Sequence, residues 1–318
     1  MTDNSFNYVI ENLALNGYNI YNNLSRYFKN IIILRNSSLR FNIKVSPNYK
    51  ITKNDVVFWT SEKFQDYINK CKFKPCKIIF PIDNKYEFSK FIEEKFNEIP
   101  IPYFKCKNQI VEKDKLYVIK TKKSYTKNRL RGKLFIYKNI PHHFSNNYFI
   151  QKYIKTGKNN ISVCGYFEHN NNKNNVLLLT KKIVSYGGTF PCGALVITVN
   201  EDKEELYSRT EKLLNNLKYT GPFELEFIKC PEENKNFICE LNCRFWMQNA
   251  IFNFNKKNII IDRYLNIENN YNENDFKDVM WVYNHKINDN VSLKIKQALQ
   301  KYKDTHRIVL SHGNTLTI

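Results

Sequence analysis

The sequence predicts an α/β (α+β) protein in two unlike parts: a small parallel-sheet domain, then a larger module with a mainly antiparallel sheet. Three observations predict this. Short apolar strands alternate with helical stretches through residues 1–98, as in a parallel sheet flanked by helices. The pattern breaks at KFNEIPIPYFKCK (95–107), where Pro100 and Pro102 mark a linker. Beyond the linker, apolar strands follow one another through polar turns.

The 318 residues suffice for one large domain or two to three small ones. With 42% hydrophobic and 25% charged residues, the chain is globular rather than disordered. A formal net charge of +20 suits nucleic acid, an anionic membrane surface or an anionic substrate. The basic residues are spread rather than blocked, and Lys, Asn and Ile are all abundant, so the charge reads first as compositional bias. Most aromatic residues alternate with apolar ones, as core residues do, which argues against a base-stacking nucleic-acid surface. Cysteines at 71, 76, 106, 164, 192, 230, 239 and 243 form no C-x-x-C, and the six His do not cluster with them, which argues against zinc. Several lie inside apolar strand patterns, as reduced cytosolic cysteines do. MTDNSFNYVI lacks a basic region followed by an apolar segment, so no signal peptide is expected, and no apolar run approaches a membrane span. The expectation is a cytoplasmic chain with no membrane partner.

FNYVIEN (6–12) reads as the first strand. Leu13–Gly17 reads as a loop and 18–29 as a helix, with Tyr18, Ile20, Tyr21, Leu24, Tyr27 and Phe28 at helical spacing. IIIL (31–34), DVVFW (55–59) and KIIF (77–80) are buried-strand candidates, and SEKFQDYINKC and KYEFSKFIEEKFNE are helical. No G-x-G-x-x-G occurs, so nothing predicts a dinucleotide. LYVIK ends in Lys120, and RGKLFIY is a second strand. The loop between them carries Lys122, Lys123, Lys127, Arg129 and Arg131, with Gly132 its one glycine. YFIQKYIKTG (148–157) follows, then ISVCGYFEH and VLLLTKKIVSYGG, joined by the polar turn NNNKNN. Asp202-x-x-Glu205 marks a helix start of the capping-box kind, with Leu206, Thr210, Leu213, Leu214 and Leu217 on its core face. NAIFNFNKKNIIIDRYLN reads as a helix or loop into a strand-like run. In 267–318, VMWVYN is a strand, SLKIKQALQKY a helix, and HRIVLSHGNTLTI carries no motif.

The chemistry concentrates in YTGPFELEFIKCPEENKNFICELNCRFW (219–246). Phe223, Leu225 and Phe227 alternate with Glu224, Glu226 and Ile228; Phe237, Cys239 and Leu241 alternate with Ile238, Glu240 and Asn242. A hairpin centred near Glu233 sets Glu226 against Glu240 and Glu224 against Asn242, placing three carboxylates and one amide on one face. Like charges opposite each other repel, and a bound cation removes that cost. Magnesium suits such a face, since it takes oxygen ligands from one or two carboxylates plus substrate phosphates. The plainer alternative is a solvent-facing polar strand face.

Glu226 followed by Glu240-x-Asn242-x-Arg244 resembles the end of the nucleotide site in the ATP-grasp superfamily. GPFELEF…FICELNCRFW is similar to its carboxylate–amine ligase branch, as in the large subunit of carbamoyl-phosphate synthase. The resemblance covers 100–265 in order and 1–95 loosely. It implies a Rossmann-like domain at 1–98, a first ATP-grasp subdomain at 99–150, a second with the metal site at 151–265, and a C-terminal extension at 266–318. IIFPIDNKYEFSKFIEEK resembles the strand–Pro–helix step of that first domain.

The same resemblance implies site roles. Glu226, Glu240 and Asn242 would hold two magnesium ions, or manganese, on ATP phosphates. Arg244 would lie by the transferred phosphoryl group. Lys120 and Lys181 or Lys182 would reach the phosphates, with Lys182 preferred because alternate side chains of its strand point inward. Backbone of Gln151, Lys152, Tyr153 and Ile154 would bind adenine, and Asn159 or Asn160 the ribose. Glu224 would support the ligands or touch substrate, and Gly187–Gly188 would let backbone approach a ligand.

The implied activity is an ADP-forming, ATP- and magnesium-dependent ligase. It activates a small-molecule or peptide carboxylate as an acyl phosphate, and an amine then attacks to give an amide or peptide-like bond. A homo-oligomer is compatible with this reading. Two features depart from the family. Cationic side chains replace the glycine-rich backbone after Lys120. The stretch before Lys120 is too short for a helix that opens on a further lysine, so the first subdomain reads as trimmed. A relative that binds nucleotide without catalysis is the second reading, and a basic nucleic-acid binder the third.

Overall fold

Strands β1 (Asn7–Asn12), β2 (Ile31–Arg35) and β3 (Asp55–Phe58) form a parallel sheet of order β2-β1-β3, as the strand–helix alternation predicts. The computed structural model describes residues 7–12, 15–36, 43–52, 54–60, 84–123, 134–155, 160–186, 192–255, 257–268, 271–283, 289–310 and 315–316. KIIF (77–80), the helical stretch SEKFQDYINKC, Lys127, Arg129, Arg131, Gly132, Asn159 and Gly187–Gly188 lie outside these residues.

Helix α1 (Leu15–Leu24) starts before the predicted position 18. Gly17 explains the early start: a Cβ there would stand 2.0 Å from the Asn12 carbonyl oxygen, so the first helical turn rests directly on the end of β1. The helix stops short of 29 within the polar run Asn22, Asn23, Ser25, residue types whose side chains compete with helical backbone bonding. Asn23 Nδ2 donates to the Asn19 carbonyl.

Helix α2 (Lys85–Phe96) is capped by Asn84, whose side chain accepts from the Glu87 N–H, and closes on Asn97 in the left-handed region (φ 54°). Its first residues dock on a second sheet of order β4-β7-β5-β6, made of β4 (Tyr103–Phe104), β5 (Leu116–Thr121), β6 (Leu134–Ile136) and β7 (Tyr148–Lys152). The Lys85 N–H donates to the Lys122 carbonyl at 2.8 Å, and Asn84 bridges Lys123. The stretch 97–102, predicted as a linker, is partly buried along the way: the Ile101 N–H donates to the Ile238 carbonyl, and the Ile238 N–H to the Ile99 carbonyl. It thereby covers part of an otherwise open sheet edge.

The largest sheet has the order β12-β11-β8-β9-β10-β15-β16-β17. It comprises β8 (Asn160–Glu168), β9 (Val176–Tyr186), β10 (Cys192–Thr198), β11 (Thr220–Cys230), β12 (Lys235–Asn242), β15 (Val279–Val282), β16 (Arg307–Leu310) and β17 (Thr315–Leu316). A short hairpin of β13 (Asn253–Phe254) and β14 (Lys257–Asn258) stands apart. All named neighbours in the large sheet are antiparallel except β15 and β16, so the mainly antiparallel expectation holds. Residues 279–316 continue this same sheet beyond β10.

Helix α3 (Lys203–Asn216) buries Leu206, Thr210, Leu213 and Leu214 as its periodicity predicts. The expected capping box is absent. Asp202 lies in the left-handed region (φ 57°) and makes no side-chain cap bond; its carboxylate accepts instead from Lys229 Nζ at 2.6 Å. The strand-like IIID run is corrected too: it opens helix α4 (Ile259–Tyr264). Asn258 caps this helix by accepting from the Ile260 and Ile261 N–H groups, and Ile259, Ile260 and Ile261 are all buried, so local capping and tertiary burial override β-propensity. Helix α5 (Asp289–Tyr302) packs Val291, Ile295 and Ala298 against β9 and β10 residues.

Two ties hold the site strands. Trp59 Nε1 donates to the Cys243 carbonyl at 2.6 Å, and the Phe245 N–H donates back to the Trp59 carbonyl at 3.2 Å. Phe58, Trp59, Phe245 and Tyr264 pack edge-on or tilted around this joint. On the other side, Arg209 pairs with buried Glu98 at 2.9 Å, donates to the Asn236 carbonyl and covers the Phe227 ring. Among the described residues, no helix is long and apolar enough to cross a membrane.

Candidate nucleotide and metal site

The β11–β12 hairpin pairs Glu226 with Glu240 and Glu224 with Asn242, the register that the alternation predicts. A register shift directly after Glu226 moves the next pair to Phe227–Ile238. Behind β11, β8 sets Cys164 beside Glu224 and Ser162 beside Glu226. The face continues onto β9, where Lys182 Nζ lies 2.9 Å from Glu226 Oε2. Lys181 goes elsewhere, to Glu201 at 2.8 Å, so Lys182 is the one that meets the carboxylates. Burial works against the Lys182 charge, but Glu226 and Glu224 outweigh it and its pKa is raised.

Glu240 is held by Lys85, the first residue of α2. Sequence reasoning missed this lysine. The sequence reading groups the helix with residues 1–98 and finds the chain before Lys120 too short for such a residue. The helix docks its start on the end of β5, which brings Lys85 against Glu240. The available signal was a lysine directly after an Asn cap at a helix start. Burial pushes the Glu240 carboxyl up, but Lys85, Lys120 and Arg244 pull it down harder, to about 2.

Lys120 is 8% exposed, and its Nζ stands 3.9 Å from Cys239 Sγ, one residue before Glu240. Asn242 bridges two neighbours: its Nδ2 donates to Glu224 Oε2 and its Oδ1 accepts from Arg244 Nη2, both at 3.3 Å. Burial, followed by the Glu226 charge, raises Glu224 to about 7.

The strand β7 lies between β4 and β5 and carries buried Gln151 and half-buried Lys152. The Lys152 and Tyr153 N–H groups are taken by the Pro102 and Leu116 carbonyls, each at 2.8 Å. The Lys152 ammonium pairs with Glu112 at 2.9 Å and Glu233 at 3.7 Å. Ile154 closes this segment and packs with Ile101, Cys230, Phe237 and, at the cluster's edge, Ile228 and Cys239. Across the sheet, Asn160 pairs with Ile228 on β11, and its buried Oδ1 has no hydrogen-bond partner among the described residues.

No three His, Cys, Asp or Glu side chains among the described residues are arranged to hold a metal ion. Glu226 and Glu240 are each engaged by a lysine. The donor set is still one that suits magnesium, which needs few protein oxygens when phosphates supply the others. Glu226, Glu240 and Asn242 provide two carboxylates and an amide oxygen on adjacent strands.

No family model and no curated protein matches the sequence. Solved structures do match by shape. N5-carboxyaminoimidazole synthase from Aspergillus clavatus, in complex with ADP and 5-aminoimidazole ribonucleotide, has a TM-score of 0.62 at 12% identity, over 86% of this chain and 80% of that one. N5-carboxyaminoimidazole synthetase from Staphylococcus aureus has a TM-score of 0.57 at 10% identity, over 82% and 77%. The biotin carboxylase domain of 2-oxoglutarate carboxylase from Hydrogenobacter thermophilus, in complex with MgADP and bicarbonate, has a TM-score of 0.56 at 11% identity, over 86% and 73%. The chain therefore shares the fold of these two synthetases and of the biotin carboxylase domain.

Proposed function

We propose that the protein is an ATP-grasp ligase that uses ATP and magnesium to activate a small carboxylate as an acyl phosphate, which an amine then attacks with release of phosphate. The observation that carries this reading is the cross-strand set Glu226–Glu240 and Glu224–Asn242, ringed by Lys182, Lys85, Lys120 and Arg244.

Glu226, Glu240 and Asn242 would hold magnesium. Magnesium held by these residues would supply positive charge to phosphate oxygens during phosphoryl transfer. Lys120, Lys85 and Lys182 stand where nucleotide phosphates would need cations, and Lys85 and Lys182 would hand their carboxylates to the metal as phosphate replaced them. Arg244, steered by Asn242, would hold the transferred phosphoryl group in line with the attacking carboxylate. Among the described residues the Ile154 N–H makes no hydrogen bond and suits adenine, and the Asn160 Oδ1 has no partner and suits a ribose hydroxyl.

A second reading is nucleotide binding without catalysis. What favours it is that both carboxylates are already neutralised by lysines, so the fold does not need a metal to relieve their repulsion.

The test is thermal shift with ATP, with and without magnesium, on wild type and Glu240→Ala. The reading expects magnesium–ATP to raise the midpoint of wild type, and the substitution to remove the magnesium dependence. No shift with ATP in either protein would sink it. ADP release with pooled carboxylates and amines then separates ligase from binding protein.

A further inference from the structure

Glu224 is the acidic group that the proposed reaction leaves without a role. It is 6% exposed, in register with Asn242 on one side and Cys164 on the other. It sits one pleat from Glu226, so its place in the sheet is electrostatically costly. An apolar residue would pack there more cheaply, and its neighbours on alternate positions, Phe223 and Leu225, are fully buried.

The hydrogen bonds show what an apolar residue could not do. An asparagine amide has a donor end and an acceptor end, and the two are nearly the same shape. Asn242 Nδ2 donates to Glu224 Oε2. That bond commits Asn242 Oδ1 to the opposite side, where it accepts from Arg244 Nη2. A flipped amide would set its oxygen against the Glu224 carboxyl and its NH2 against a guanidinium, losing both bonds. Glu224 keeps an acceptor oxygen in either protonation state, so the observed bond is available in both, and the donor-only guanidinium of Arg244 favours the same orientation.

We infer that Glu224 is a positioning residue: it locks the Asn242 amide with its oxygen toward the metal and phosphoryl side, and through that oxygen it also sets Arg244. The inference rests on the ligase reading of the site. It predicts that Glu224 contributes to metal use and not to fold stability.

The test uses the full chain with E224L and E224Q, reading the ligand-free midpoint and the half-saturating magnesium concentration for the ATP-induced shift. E224L removes a buried carboxyl, so the ligand-free midpoint should hold or rise, while half-saturating magnesium rises about tenfold, the usual loss when a partner of a metal ligand is removed. E224Q keeps an acceptor oxygen and should restore magnesium use to within a few-fold of wild type. If E224L fails to fold, E224A gives the same comparison without added bulk. A lower ligand-free midpoint with unchanged half-saturating magnesium in either variant overturns the inference and makes Glu224 a structural residue. Wild type that shows no magnesium-dependent shift overturns the ligase reading and this inference together, so the two failures are told apart by the wild-type curve.

Discussion

Glu226 and Glu240 are cross-strand partners, yet each carboxylate is taken by a lysine from a different element: Lys182 on β9 and Lys85 on α2. Left alone, two carboxylates in that register would repel. The lysines remove the repulsion and tie two further elements to one hairpin. Lys85 also links the start of α2 to a residue 155 positions away in the chain.

Replacing Lys85 should therefore expose the repulsion. Lys85→Met keeps the stem and deletes the charge. It should lower ligand-free stability by about 2 kcal/mol, since Glu240 is left in a largely buried place without its cation. Magnesium alone should then raise the midpoint of the variant more than that of wild type. Equal magnesium responses by thermal shift would show that Lys85 does not occupy the metal's place.

Gly17 offers a test of the first domain. An added methyl would lie 2.0 Å from the Asn12 carbonyl oxygen, a backbone atom with little room to retreat. Gly17→Ala should cost roughly 2 kcal/mol, in the range for overpacking a fixed site. Urea unfolding would measure it, and a cost below a few tenths would mean that α1 can lift off β1.

The alternation of Phe and Leu with Glu and Asn, around a turn rich in Pro, Glu and Asn, was enough to read the pairing of Glu226 with Glu240. Local patterns of this kind set register because a one-residue slip would turn the charges into the apolar core and the phenylalanines into the polar site. The register shift just past Glu226 left no trace in the pattern. Lys85 was illegible for a different reason: its contact depends on where α2 docks, and docking is a property of distant surfaces. Ile259–Ile261 misled because β-branched residues favour strands only until a cap and full burial decide otherwise. Asp202 had the spacing of a cap but found a stronger partner across the fold in Lys229.

The Asp202–Lys229 pair predicts a pH window. The hydrogen bond from Lys229 is the leading cause that lowers Asp202, and the bond to Asp202 is the leading cause that raises Lys229. A lowered carboxyl stabilises the fold above its unfolded pKa and loses that contribution as pH falls through the folded one. A raised lysine stabilises below its unfolded pKa and loses it as pH rises through the folded one. The pair thus supports the fold between about pH 4 and pH 10. Both groups are partly exposed, so Asp202→Asn should cost only ~0.5 kcal/mol at neutral pH. The difference from wild type should vanish as the pH falls through the lowered pKa of folded Asp202. A difference that persists there would mean the substitution acts through backbone at α3, not through charge.

Asn160 makes the sharpest claim about the nucleotide. Its Oδ1 is buried without a hydrogen-bond partner among the described residues, and such groups carry a desolvation cost that a ligand donor can relieve. If a ribose hydroxyl is that donor, ATP should bind more tightly than 2′-deoxy- or 3′-deoxy-ATP, by up to about tenfold for one neutral hydrogen bond. Asn160→Ala should weaken ATP and leave the deoxy nucleotide that lacks the contacted hydroxyl nearly unchanged. Asn160→Asp should strengthen ATP relative to the alanine variant, because an ionised acceptor makes the stronger bond. Titration calorimetry on the three proteins with the three nucleotides decides the matter. If ATP and both deoxy forms weaken in parallel in Asn160→Ala, the side chain only supports β8, and the ribose is held elsewhere.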